Sequence, residues 1–493
     1  MVSNLLVKNF TDLLLSKNSI RKNTEKIILR KLKNDFLVKN KRNRNLKEAE
    51  YRYAFYEAVL TQFEKNFNRN YLSKDFMKRL LNNVFLQDKL LENHEIKEDF
   101  YKQYGIYPPG FITLSPTKKC NLNCTGCYAN SSGINSETLE YKYVEAILRE
   151  NYEKWGNKGV VVSGGEPFLY KSEGKNLLDI AENFNNMFFM VYTNGTLIDN
   201  DIAYKIYELG NLIPAISVEG YEQQTDERRG KGVYRKIIDA TTILKNYGIP
   251  FGISVTVTKK NFDIINKEEF YDYYFEKIGA SFMWVFQFMP IGRGTTIDLM
   301  LSAEQRRILW ETWSKILFEK KYPVADFWNS GMISYGCIAY GRAGGYLYID
   351  WNGNIMPCVF VPYYEDNIKQ LYLNGKTLTD ALFSKFFENG RKWQYSYGYN
   401  HPVLNNVGSE KIQNLLLPCS IRDHYRNFRE NILTVSSKPE DEYAEIALKD
   451  KDYYEKLANY ESDLKKEFDP IWENQFKNIN KNNINNNTID KNR

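Results

Sequence analysis

The chain has 493 residues, 43% of them apolar and 15% aromatic, which provides for a large packed core with smaller parts attached and excludes wholesale disorder. Its net charge of +6 is uneven: residues 1–45 carry 12 Lys/Arg against 3 Asp/Glu, so the rest sums to about −3. That balance excludes a basic nucleic-acid-binding body, DNA binding included, and confines any polyanion affinity to the N-terminal arm.

No apolar run approaches the ~18 residues that a membrane-spanning helix needs. The N-terminus lacks the compact apolar block and cleavage site of a secretory signal. The expected location is the cytoplasm, where thiols stay reduced.

Residues 1–107 read as a helical region. Leu6, Phe10, Leu13 and Leu14, then Tyr53, Tyr56, Val59, Leu60 and Phe63, recur at helical spacing. Tyr107-Pro108-Pro109-Gly110 ends it. From Phe111 short apolar runs alternate with amphipathic stretches. Strands are expected at Phe111–Ser115, Val160–Ser163, Phe188–Tyr192, Ile213–Val218, Phe251–Val257 and Met283–Phe288. Helices are expected at Ser136–Asn151, Leu177–Phe184, Asp201–Leu209, Tyr234–Tyr247 and Ser302–Phe318. Six strands alternating with helices imply an α/β fold, a parallel sheet curled into an open barrel over residues 108–320, with ligands at the C-terminal strand ends. An irregular, Gly-rich part (321–437), a charged helical extension (438–476) and an Asn-rich tail expected to be disordered (477–493) complete the chain.

Six cysteines fall into two groups of three. The first group follows the first expected strand, in Cys120-Asn121-Leu122-Asn123-Cys124-Thr125-Gly126-Cys127-Tyr128. Three thiolates at this spacing ligate three corners of a 4Fe-4S cubane and leave the fourth iron open, where the amino and carboxylate groups of S-adenosylmethionine can chelate it. One electron passed to the sulfonium then releases a 5′-deoxyadenosyl radical, reactive enough to take hydrogen from an unactivated carbon. A zinc knuckle is the competing reading. Zinc wants four ligands, and His94 precedes the loop by 26 residues.

This loop resembles the signature of the radical S-adenosylmethionine (SAM) superfamily, and the resemblance extends over about residues 111–295. After the second strand, Ser163-Gly164-Gly165-Glu166-Pro167 is similar to the family's Gly-Gly-Glu-Pro element, which implies contact of Gly164, Gly165 and Glu166 with the methionine ammonium. Thr193 and Asn194, in Thr193-Asn194-Gly195-Thr196, resemble the polar turn at the cofactor. Ser217-Val218-Glu219-Gly220 with Arg228-Arg229-Gly230 resembles the stretch that engages ribose or carboxylate, implying Ser217, Glu219 and Arg229. Val257-Thr258 sits where the family's backbone meets adenine. Each element alone has a plain reading as a turn or helix cap; their order at consecutive strand ends carries the weight. Arg293, in Gly292-Arg293-Gly294, is expected either to bind a carboxylate or phosphate at the barrel mouth or to be a solvated loop residue.

Cys337 and Cys358 frame a hairpin, Tyr346–Ile349 and Ile355, turned by Asn352-Gly353. A cysteine, a hairpin glycine and a cysteine five residues beyond it resemble the auxiliary-cluster module called SPASM or twitch, with Cys419 as a third thiolate. A full SPASM domain has seven cysteines, so one auxiliary 4Fe-4S cluster is expected here, with an open iron or with His424 or Asp423 as fourth ligand. The alternative is three buried, unliganded cysteines.

The fold expected is thus a partial (β/α)6 radical SAM barrel with an N-terminal helical region and a small SPASM/twitch-like domain. The resemblance implies an enzyme that cleaves SAM and abstracts hydrogen from a peptide or protein, served by an electron donor such as flavodoxin or ferredoxin. The same chemistry on a small metabolite or membrane lipid is the alternative. In that case the basic arm with Leu5, Leu6, Phe10, Leu13 and Leu14 lies on an anionic membrane; otherwise that arm docks on the barrel. RNA modification is weaker for want of a binding module. An iron–sulfur carrier or scaffold would leave the cofactor turns unexplained.

Overall fold

The computed structural model describes residues 12–40, 45–85, 90–293, 297–399 and 412–477. Leu5, Leu6, Phe10, Gly294 and the Asn-rich tail lie outside the described residues.

Six parallel strands form where the apolar runs fall: β1 (Phe111–Leu114), β2 (Gly159–Val162), β3 (Phe188–Thr193), β4 (Leu212–Val218), β5 (Gly252–Val257) and β6 (Phe282–Gln287). They lie side by side in chain order. In β3 and β6 buried and half-buried residues alternate, one face against the helices and the other toward the barrel interior. β4 is buried along nearly its whole length, as a central parallel strand covered on both faces should be.

Four further strands extend the sheet: β7 (Val324–Asp326), β8 (Tyr346–Ile349), β9 (Asn354–Met356) and β10 (Asp366–Asn367), giving the order β10-β9-β8-β1-β2-β3-β4-β5-β6-β7. The expected hairpin is β8–β9, paired Tyr348 with Met356 and Ile349 with Ile355. Its first strand also pairs in parallel with β1, Phe111 opposite Tyr346 through Leu114 opposite Ile349. The segment bearing the second cysteine group is therefore hydrogen-bonded into the barrel sheet itself. Asp350, fully buried, accepts the Asn352 and Asn354 backbone N–H groups at 2.9 and 2.8 Å and holds the turn in which Gly353 has φ 87°.

One helix starts later than its periodicity predicts. Residues 136–140 are drawn away to the loop after β1: Lys118 N–H bonds Glu137 O at 2.9 Å and Leu139 N–H bonds Pro116 O at 2.9 Å. The helix begins at Tyr141.

The N-terminal helix Leu46–Asn68 docks on the barrel. Tyr51 stacks on Trp313 with ring centroids 5.6 Å apart, and Gln62 Nε2 donates to Ala280 O at 3.2 Å. Helix Asn18–Lys33 packs against it through a buried Arg21–Glu64 pair at 3.0 Å. The described part of the basic segment, helix Asn18–Lys33, thus packs on the helix Leu46–Asn68. Among the described residues no helix is long and apolar enough to cross a membrane.

Candidate active site

The first cysteine loop leaves the C-terminal end of β1 and is held from three sides. Gly165 N–H and Glu166 N–H, following β2, bond Thr117 O at 2.9 Å and Lys119 O at 2.8 Å. A Cβ on Gly165 would stand 2.2 Å from Lys119 O, and one on Gly164 2.6 Å from Thr117 O. At both glycines the chain's own cysteine loop makes a close approach that a side chain would block.

Arg228 clamps the far side, giving Nε to Thr125 O at 3.1 Å and one terminal nitrogen to Gly126 O at 3.2 Å. Arg293 clamps the near side, donating to Cys124 O at 3.1 Å, Ser131 O at 2.7 Å and Asn130 Oδ1 at 3.2 Å. Arg293 is half-buried, and three of its five N–H groups are given to acceptors of the cysteine loop, a structural use that neither expectation named. Gly292 (φ 61°) lets it in, since a Cβ there would meet Tyr128 O at 2.1 Å.

Cys120, Cys124 and Cys127 open onto a cavity of about 230 Å³ inside the barrel mouth. Gly164, Gly165, Thr193, Asn194, Ser217 and Arg229 line the same cavity. Glu166, Glu219 and Val257 do not. Val257 is fully buried in the core.

Glu166, fully buried, accepts Thr193 Oγ1 at 2.7 Å, Asn194 N–H at 2.8 Å and Phe168 N–H at 3.2 Å. Burial still pushes its carboxyl up to about 7 against those hydrogen bonds. Glu219 stands behind Arg229, accepting its Nε at 2.9 Å and a terminal nitrogen at 2.6 Å, and it pairs with Arg228 at 2.6 Å. Asn194 Nδ2 donates to Asn121 Oδ1 at 2.8 Å and lies 3.9 Å from Cys120 Sγ, which ties the turn after β3 to the cysteine loop.

The opposite wall is aromatic. Phe360 packs against Phe286, Phe327 and Trp328 at centroid distances of 5.8, 5.4 and 4.8 Å. Behind that wall lie Cys337, Cys358 and Cys419, close enough that Cys358 feels the charge of Cys337 and Cys419 feels those of Cys337 and Cys358.

All six cysteines are free thiols. Burial pushes the thiols of Cys120 and Cys358 up to about 12 and raises those of Cys124, Cys337 and Cys419. Thiolates gathered in such surroundings require a nearby positive charge, which iron supplies. Among the described residues no three His, Cys, Asp or Glu side chains converge on a point that a single ion could occupy. A cubane differs in kind: it distributes its thiolates over separate irons. The donor sets fit iron–sulfur clusters in residue type and surroundings.

His424 and Asp423 are engaged elsewhere than as fourth ligands. His424 Nε2 lies 2.9 Å from Leu417 O, its ring between Trp393 and Tyr397. Asp423 pairs with Arg306, both fully buried, and accepts Cys419 N–H at 2.9 Å.

Residues 114–270 match the family model of the radical SAM superfamily. The AdoMet-dependent heme synthase of Methanosarcina barkeri is 27% identical over 290 residues, 53% of this chain and 80% of that protein. The antilisterial bacteriocin subtilosin biosynthesis protein AlbA of Bacillus subtilis is 26% identical over 269 residues, 52% of this chain and 56% of that protein. The crystal structure of SuiB from Streptococcus suis superposes with a TM-score of 0.51 at 18% identity, covering 79% of this chain and 92% of that one, a likeness of fold. The chain spans about half the length of the first curated relatives it matches, 57% of one and 41% of another. The match to the radical SAM superfamily thus covers residues 114–270, about a third of the chain; enzymes of that superfamily use a 4Fe-4S cluster and S-adenosylmethionine.

Proposed function

We propose that this enzyme cleaves S-adenosylmethionine reductively and abstracts hydrogen from a side chain of a peptide or protein. What supports the substrate class is likeness to two Bacillus subtilis proteins, the antilisterial bacteriocin subtilosin biosynthesis protein AlbA and the sporulation killing factor maturation protein SkfB, 26% and 27% identical over 269 and 161 residues.

In this reading Cys120, Cys124 and Cys127 hold the first cluster, and Cys337, Cys358 and Cys419, within residues 321–437, hold one auxiliary cluster. When bound, the first cluster would supply the one electron that breaks the sulfonium's bond to the ribose carbon, with methionine leaving and the deoxyadenosyl fragment becoming able to take a hydrogen atom. The chain's part is to hold and orient. Gly164, Gly165, Thr193 and Asn194 form the floor beside Cys120, with Glu166 fixing the Thr193–Asn194 turn from behind. Arg229, steadied by Glu219, presents a cation to the cofactor's carboxylate or ribose from the other side. The aromatic wall excludes water from the reacting carbon. Flavodoxin or ferredoxin supplies the electron.

A tetrapyrrole substrate is the second reading, favoured by the M. barkeri heme synthase, of which the match covers 80%. The test uses protein reconstituted without oxygen, given dithionite and S-adenosylmethionine, and assayed for 5′-deoxyadenosine alone, with fractionated peptides, with iron coproporphyrin and with lipid extract. Stimulation by peptide fractions is the expected result. Stimulation by the porphyrin alone overturns the substrate class, and no deoxyadenosine under any condition overturns the reaction.

A further inference from the structure

The cavity and the second cysteine trio share one side chain. Tyr346 opens β8, 2% exposed, with its ring stacked on Phe111 at 5.1 Å and an interplanar angle of 3°. Tyr346 is also one of the residues lining the cavity. Its hydroxyl donates to Cys358 Sγ at 2.9 Å.

The orientation of this donor is set by the backbone. The hydroxyl oxygen accepts the Val359 N–H at 3.4 Å, which leaves its proton for the sulfur. Cys358 Sγ also receives the Phe360 N–H at 3.5 Å, so the thiol sits in a small cage of donors. Tyr340 is also beside the trio, but its hydroxyl pairs with Ser420 Oγ at 2.7 Å. Among the described hydrogen bonds, Tyr346 makes the one that runs from a cavity-wall side chain to a thiol of the second trio.

We propose that Tyr346 is a positioning residue for the second iron–sulfur cluster, raising its reduction potential through the hydrogen bond to Cys358 at the point where cluster and cavity meet. This rests on the reading of Cys337, Cys358 and Cys419 as cluster ligands. A donor aimed at a ligand sulfur stabilises the more negative, reduced cluster more than the oxidised one, and hydrogen bonds to the sulfurs are among the terms that set such potentials. A neutral phenol does this without adding a charge to the apolar wall.

The test isolates the second cluster. In a full-length chain carrying Cys120→Ala, Cys124→Ala and Cys127→Ala, reconstituted anaerobically, iron and sulfide are counted and the midpoint potential is read by an EPR-monitored redox titration, with and without Tyr346→Phe. Equal iron in both and a more negative midpoint in the Phe variant is the expected result. Equal iron with an unchanged midpoint overturns the proposal. A triple-alanine chain that binds no iron overturns the cluster assignment on which it rests, a separate failure. Should the Phe variant not retain iron, a ring-fluorinated tyrosine at position 346 decides. As a stronger donor of nearly the same shape it shifts the midpoint positive, and no shift overturns the proposal.

Discussion

Replacing Arg306 by Met removes the centre of a buried polar network. Arg306 and Asp423 are both at 0% side-chain exposure. The guanidinium also gives a hydrogen bond to Leu416 O at 2.9 Å and one to Asn329 Oδ1 at 3.2 Å. Asn329 in turn donates to Asp326 at 3.0 Å, and Asp326 accepts Gln287 Nε2, at the end of β6, at 3.1 Å. At the other end Asp423 holds the Cys419 N–H. Arg306→Met fills similar space and leaves the Asp423 carboxylate without its cation. Breaking a buried pair by removing one partner costs about 3–5 kcal/mol. At roughly 1.4 kcal/mol per tenfold, the segment around Cys419 should open about a hundred to a few thousand times more often. Amide hydrogen exchange of peptides covering residues 412–425 reads this directly, with peptides from β3 as an internal control. Arg306→Met with Asp423→Leu removes the stranded charge and should recover part of the protection. Wild-type exchange in the single variant, or faster exchange in the double than in the single, would refute the reasoning.

Alanine at Cys120, Cys124 or Cys127 should abolish deoxyadenosine formation. Alanine at Cys337, Cys358 or Cys419 should lower iron by about four per chain and leave the first cluster in place; unchanged iron in those three would defeat the auxiliary-cluster reading. Arg293→Met deletes the donors to Cys124 O, Ser131 O and Asn130, a loss on the order of 3 kcal/mol. First-cluster iron should therefore pass to a chelator faster while second-cluster iron does not, and equal rates would tell against the clamp. His424 has its pKa lowered from 6.5 by burial, so it is neutral in the fold and more readily protonated when unfolded. Its contribution is fully present above 6.5 and is lost as pH falls from 6.5 through the depressed folded value. Urea midpoints at about pH 7.5 and about pH 5.5 should diverge more in the wild type than in His424→Asn; equal divergence would place the acid sensitivity elsewhere.

The sequence by itself determined the features whose signal is local. Apolar runs located the six barrel strands to within a residue or so, because a buried parallel strand is continuous in sequence. The cysteine spacing and the Gly-Gly-Glu-Pro turn pointed to the chemistry for the same reason: the ligands of one loop are chain neighbours. Only the tertiary structure decided which distant groups hold that loop. Arg293 reaches Cys124 O across 169 residues and Arg228 reaches Thr125 O across 103, and neither had a local pattern to distinguish it from a solvated or ligand-binding arginine. The same holds for Asp423 and His424. In sequence each has the form of a spare ligand; in the fold Arg306, 117 residues away from Asp423, and the Leu417 carbonyl satisfy them. The run Tyr346–Ile349 followed by Asn352-Gly353 foretold a hairpin but was silent on its second partner. A strand has two hydrogen-bonding edges; the Asn-Gly turn specified what pairs with one, and packing of Tyr346 on Phe111 in the folded sheet selected β1 for the other.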